Sequence, residues 1–140
     1  MLEFGGRAFV DRARAMLALA ESVDASAPGA AGLAYQAANL ALKILMIEVD
    51  GTVPWAHDAW ARRGSELTGV AADDLLFIHR VRQLDFYADA AAPPPGQTGW
   101  GAMLEAPSVD DRRRAATIAR RLFDAVDLAL AARAEPGAEH

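Results

Sequence analysis

The chain has no cysteine in its 140 residues, which excludes thiol catalysis, thiolate-bound metal and a disulfide framework. A chain of this length needs none of these, because one hydrophobic core can bury roughly two thirds of the surface that the unfolded chain exposes. One compact domain is expected over residues 1–134, with a disordered tail at 135–140. Val, Ile and Thr are scarce and no alternating pattern occurs, so strands are not expected. Long apolar runs are also lacking: the longest, Leu40 to Val49, contains Lys43 and Glu48, and it is shorter than the roughly 20 residues of a membrane span. Glu3, Asp11 and Glu21 interrupt the segment where a signal peptide would have its apolar centre. The expectation is a soluble, cytoplasmic protein with no membrane partner. Positive charge is in deficit, 14 Lys plus Arg against 19 Asp plus Glu, for a net charge of −5. That balance argues against tight binding to duplex DNA, although a local basic stripe can still contact RNA.

Alanine is abundant, with 33 residues, and it is the strongest helix former. Spacing agrees with composition. Phe9, Ala13, Met16, Ala20 and Val23 recur at steps of three and four and mark the buried stripe of a first helix over Glu3 to Val23. After a turn at Asp24 to Pro28, a second helix is predicted from Gly29 to Glu48, capped near Gly51. Its polar residues Gln36, Asn39, Lys43 and Asp50 share one narrow face, so it should lie centrally among its neighbours. Pro54 suits the first turn of a third helix, Trp55 to Leu67, whose end Gly64 and Gly69 should weaken. Asp73 or Asp74 is expected to cap a fourth helix reaching Ala92, with Phe77, Val81, Leu84 and Ala88 buried. A proline-rich loop over 93–107, pinned by Trp100, leads to Ser108 as cap of a fifth helix that ends near Arg133. That helix should bury Ile118, Leu122, Ala125 and Ala129, with Phe123 and Val126 beside them. The fold class is all-α, an antiparallel up-and-down bundle of four to five helices.

Signatures of familiar chemistry are missing too. There is no HExxH spacing, no G-x-S-x-G elbow, no P-loop and no G-x-G-x-x-G, so neither a metal nor a cofactor is expected. Arg112, Arg113, Arg114, Arg120 and Arg121 could form a basic ridge, but Asp110, Asp111, Asp124 and Asp127 lie close by. A solvated face of mixed charge is the expected reading. Helix four carries more information. At about 100° per residue, His79, Arg82, Phe86 and Asp89 share one sector, with Asp85 three residues beyond Arg82. A sector of this composition, opposite the apolar stripe, reads as an interface or a site.

The stretch from Gly32 through Tyr35, Asn39 and Lys43 to Gly51, then Val53-Pro54-Trp55-Ala56-His57-Asp58, then Arg82-Gln-Leu-Asp85-Phe86-Tyr87-Ala-Asp89, resembles the HEPN domains of prokaryotes. The resemblance covers residues 30 to 90. It implies a small antiparallel helical bundle that forms two-fold homodimers. Such proteins sit beside minimal nucleotidyltransferases in toxin–antitoxin pairs or form the helical domain of aminoglycoside nucleotidyltransferases. Some are metal-independent ribonucleases, in which an Arg is followed on this helix by His after four to six intervening residues.

Here the corresponding positions after Arg82 are Tyr87, Ala88 and Asp89, and after Arg80 they are Asp85, Phe86 and Tyr87. The histidine is missing, and proton transfer without it forfeits a contribution of about 100- to 10,000-fold. Candidates for a residual catalytic role are Arg82, His79 and Tyr87, with none assigned. His57 belongs to another helix and His140 to the tail, which leaves His79 as the one imidazole with a route to a cleft. Tyr87 is a hydrogen-bond donor or modification target rather than a base. The expected ligand-binding set is Arg80, Arg82, Asp85, Tyr87 and Lys43. The expected function is a non-catalytic nucleotide- or RNA-binding homodimer, or a nucleotidyltransferase partner, in a toxin–antitoxin-like system. The alternatives are a metal-independent endoribonuclease with a degenerate motif and a purely structural dimerisation protein.

Overall fold

The second helix is the axis around which the others pack. The computed structural model describes residues 4–90 and 107–134. Its five helices are α1 (Phe4–Glu21), α2 (Ala30–Asp50), α3 (His57–Thr68), α4 (Ala72–Ala90) and α5 (Val109–Ala134). There is no strand among the described residues. Each of the other four helices packs against α2. Alanine makes this possible: Ala13, Ala37, Ala38, Ala41 and Ala119 are almost fully buried, and their small side chains bring the helix axes close. Leu17, Leu42, Leu45, Met46, Leu75, Ile78, Leu122, Phe123 and Val126 fill the space between them as one continuous core. Arg14 pairs with Asp127, and Glu21 with Arg120. As α1 ascends, α5 therefore descends.

By length and composition α2 is apolar enough to cross a membrane, which corrects the expectation drawn from the run Leu40 to Val49. Lys43 and Glu48 interrupt that run, but alanines N-terminal to it extend the apolar helix. Eleven of the helix's residues are buried, as in the core helix of a bundle.

Helix boundaries follow local chemistry. Asp24 accepts hydrogen bonds from the Ser26 backbone N–H and hydroxyl, closing the turn between α1 and α2. Gly51 (φ 75°) ends α2 and Gly69 (φ 78°) ends α3, each in the left-handed region. The third helix begins at His57 rather than at Trp55, with Ala56 in extended conformation before it. Gly64 does not weaken its end but lies buried inside it. In α4 the backbone N–H groups of Asp74 and Leu75 bond to the Ala71 carbonyl, so Asp73 and Asp74 occupy the first turn instead of capping it. The Ser108 hydroxyl accepts the Asp111 N–H at 3.0 Å, which is the expected cap of α5.

Three buried stripes differ from expectation. In α1 the core face is Val10, Ala13, Leu17 and Ala20, while Phe9 and Val23 are exposed. In α4 it is Leu75, Ile78 and Val81, with Phe77 only partly buried, about a quarter turn from the face predicted. In α5 Phe123 and Val126 are fully buried and Leu130 joins them, whereas Ala125 and Ala129 lie at the margin. The proline-rich loop with Trp100, the side chain of Ala88 and the tail at 135–140 lie outside the described residues.

Candidate functional site

The shift of the α4 stripe turns His79 and Arg82 toward α2 and α3 instead of toward open solvent. Both are partly buried. They line a cavity of about 270 Å³ together with Tyr35, Gln36, Asn39 and Lys43 of α2, Val53, Pro54 and Trp55 of the connection, and His57 and Trp60 of α3. Tyr35, Asn39 and Lys43 are spaced by four residues, so one face of α2 forms the floor. Trp60 donates its indole N–H to the Asn39 side-chain oxygen at 3.1 Å, which satisfies both buried groups. The Tyr35 hydroxyl and His79 Nδ1 share a hydrogen bond of 3.2 Å. His79 Nε2 is buried with no hydrogen-bond partner.

His57, exposed on the first turn of α3, stacks on His79 with ring centroids 3.8 Å apart and planes inclined by 36°. This corrects the expectation that residence on another helix keeps His57 away from the cleft. The α2–α3 connection is short, and α3 packs chiefly on α4, which brings His57 to His79. Trp60 and Tyr35 flank the imidazole pair, with centroids 6.4 and 5.8 Å from His79. The Arg82 guanidinium sits 5.9 Å from the Tyr35 ring centre. Trp55 stands at the rim with 99% of its surface exposed.

Every charged or titratable group in this lining is Lys, Arg, His or Tyr, and no carboxylate lines the cavity among the described residues. Burial pushes the His79 imidazole below its ordinary value, and the His57 ring and Arg82 push it further. Burial raises the Tyr35 phenol, which Arg82 partly offsets. Among the described residues, no three His, Asp or Glu side chains gather as a metal set.

Of the residues anticipated for ligand binding, Lys43 and Arg82 line the cavity and Arg80 does not. Arg80 is exposed on another side of α4, because two residues separate it from Arg82 by more than half a helical turn. The side chains of Asp85, Phe86, Tyr87 and Asp89 lie outside the described residues. Sequence reasoning missed Tyr35, Asn39, His57 and Trp60 as lining residues. The repeat Tyr35-x3-Asn39-x3-Lys43 on an otherwise apolar helix was the available signal.

A larger depression of about 500 Å³ lies between α1, α2 and α5. Half of its lining residues are alanine, its Arg120 is held by Glu21 and Asp124, and Arg113 stands beside them. The arginines of α5 form a face of mixed charge, as expected from the sequence, since Arg114 and Arg121 both bond to Asp74, at 3.2 and 2.9 Å. No family model, curated protein or solved structure matches this chain.

Proposed function

We propose that this chain is a HEPN-like helical protein that binds a nucleotide, free or within RNA, in the cavity between α2, α3 and α4, without cleaving it. In this reading it acts as a homodimer and as the partner of a minimal nucleotidyltransferase in a toxin–antitoxin-like system. The observation that carries the binding reading is the lining itself. In a chain of net charge −5, the cavity gathers Lys43, Arg82 and two imidazoles beside Tyr35, Trp55 and Trp60, with no acid among the described lining residues. Cations hold phosphate and aromatic faces hold bases. The experiment is calorimetric titration with AMP, UMP and a short oligoribonucleotide. Binding that weakens in Lys43→Ala supports the reading, and absence of binding to all three defeats it. Light scattering tests the assembly: the mass of a single chain at micromolar concentration rules out the homodimer.

The metal-independent ribonuclease is the second reading, favoured by the contact between His57 and His79. Attack by a ribose 2′-OH uses a general base to take its proton and a general acid to protonate the leaving oxygen, roles that two imidazoles can fill. His79 is poorly placed for either task, with Nδ1 engaged by Tyr35 and Nε2 buried. The expected outcome is no cleavage of single-stranded RNA above background. Cleavage that His79→Ala abolishes would install the enzyme reading instead.

A further inference from the structure

We infer that the outward face of the α1–α2 hairpin is the contact surface between two copies of this chain, packed across a two-fold axis as a four-helix bundle in which Trp55 of each copy enters a groove of the other. The proposed function names a homodimer without its surface. This inference shares the second copy with that reading and rests on nothing else in it.

Helix α2 is apolar around most of its circumference, yet its neighbours leave one side of it open. At about 100° per residue, Leu33, Leu40, Ile44 and Ile47 form a single stripe, each partly or largely exposed, with Gln36 and Lys43 along one edge. On one flank the stripe borders α1, whose Met16 shares a groove of about 260 Å³ with Leu33 and Leu40. Phe9, Leu19 and Val23 occupy the same sector of α1 as Met16. On the other flank, Gln36 and Lys43 share the ligand cavity with Val53 and Trp55. Seven large apolar side chains are exposed among the described residues, and five of them, Phe9, Leu19, Val23, Ile47 and Trp55, therefore lie on this one side. Such a continuous apolar surface marks an interface, whereas single exposed apolar residues do not.

A second copy fits this face in area, shape and relief. The nine apolar side chains on it present roughly 800 Å² of accessible surface, which is what each partner contributes to a stable interface of standard size. The helices, of 18 and 21 residues, run about 27 and 32 Å. Two such hairpins laid face to face at about 20° bury one unbroken seam, the arrangement of a four-helix bundle. The relief is self-complementary. Trp55 projects from the face, and the groove at Met16, Leu33 and Leu40 is recessed in it, on the opposite side of a ridge of Gln36, Asn39 and Lys43 that lines both hollows. A two-fold axis over this ridge brings each indole to the other copy's groove, beside the Lys43 there. The other cation on this flank, Arg12, lies over the ring of its own Phe9 at 5.3 Å, toward the start of α1. A flat bilayer surface would leave the groove unfilled.

The test is sedimentation equilibrium of the full-length protein from 1 to 200 μM, alone and with vesicles of anionic lipid. Trp55→Ala and Ile47→Glu change the proposed surface, while Leu128→Glu on α5 and Arg80→Glu on α4 change exposed positions elsewhere. All four sites are exposed, and thermal melts report whether each variant is folded. The expected result is a wild-type dimer whose dissociation constant rises at least about thirtyfold in Trp55→Ala, as for a residue that anchors an interface. Ile47→Glu should give single chains throughout, and Leu128→Glu and Arg80→Glu should remain dimers. A single-chain mass for the wild type at 200 μM overturns the inference, and vesicle binding by that single chain would assign the face to a membrane instead. A dimer that Arg80→Glu breaks and that Trp55→Ala and Ile47→Glu leave intact overturns it while the proposed homodimer stands. A dimer broken as expected, in a protein that binds neither AMP, UMP nor oligoribonucleotide, upholds the inference and defeats the proposed function.

Discussion

His79 sits at a branch point between stability and function. Its folded-state pKa lies below its ordinary value of about 6.5, first through burial, then through His57 and Arg82. As pH falls below 6.5 the unfolded chain takes a proton there and the folded chain does not. Stability should therefore fall from about pH 7 toward the lowered folded value. The carboxylates of Glu21, Asp24 and Asp50, all lowered by their hydrogen bonds, act in a separate window below about pH 4. Thermal melts of the ligand-free protein should show a falling midpoint between pH 7 and 5 that His79→Gln removes. An identical fall in the variant would assign the effect to other groups. Asn39 makes a second prediction at this scale. Its side chain is the acceptor for the buried Trp60 indole, so Asn39→Ala should cost about 1–3 kcal/mol in urea denaturation by leaving that N–H unpaired. In the background of Trp60→Phe the same change should cost less, because the orphaned donor is gone.

At the scale of helices, the sequence carried identity and limits better than orientation. All five helices were legible, and the caps at Gly51 and Ser108 fell where left-handed backbone and a hydroxyl acceptor are needed. The faces of α1 and α4 were not. Alanine is apolar at almost every angle in α1, so Phe9 and Val10 define equally good stripes by spacing, and only the neighbouring helices decide that Val10 is inside. In α4, Phe77 looked like a core residue by size, yet it is partly buried and lies under the Arg114 guanidinium, 4.3 Å from its ring centre. The candidate site was half legible for the same reason. Lys43 and Arg82 were found by charge, whereas His57 depends on how α3 folds back on α4. Gly64 marks that packing. A Cβ there would stand 2.9 Å from Leu75 Cδ1 and 3.1 Å from Leu42 Cδ2, and both leucines are fully buried. In an exposed helix Gly→Ala gains about 1 kcal/mol. Here overpacking at about 1–3 kcal/mol should outweigh it. Gly64→Ala should lower the urea midpoint, and Leu75→Val should relieve part of that loss; a raised midpoint would mean that the leucines yield freely.

Across the whole molecule, what separates the cavity from the α5 surface is a lining with no carboxylate among the described residues rather than the number of arginines. Three of the six arginines on α5 are tied to another helix, Arg120 to Glu21 and Arg114 and Arg121 to Asp74, and Arg120 also pairs with Asp124 within α5. These pairs are exposed enough that each contributes little to stability, but they neutralise the face from which a basic ridge would otherwise bind polyanions. Lys43 enters no ion pair among the described residues, and it shares a lining that has no described carboxylate. Affinity for an anionic ligand should therefore follow the cavity and ignore the ridge. Lys43→Ala and Arg82→Ala should each reduce AMP affinity several-fold, while Arg121→Ala, at a position already balanced by Asp74, should leave it unchanged. Raising KCl from 50 to 500 mM should weaken AMP binding through screening and shift the melting midpoint of the unliganded protein only slightly. If Arg121→Ala weakens binding as much as Lys43→Ala does, the ligand lies on α5, and the imidazole pair is a packing contact between α3 and α4.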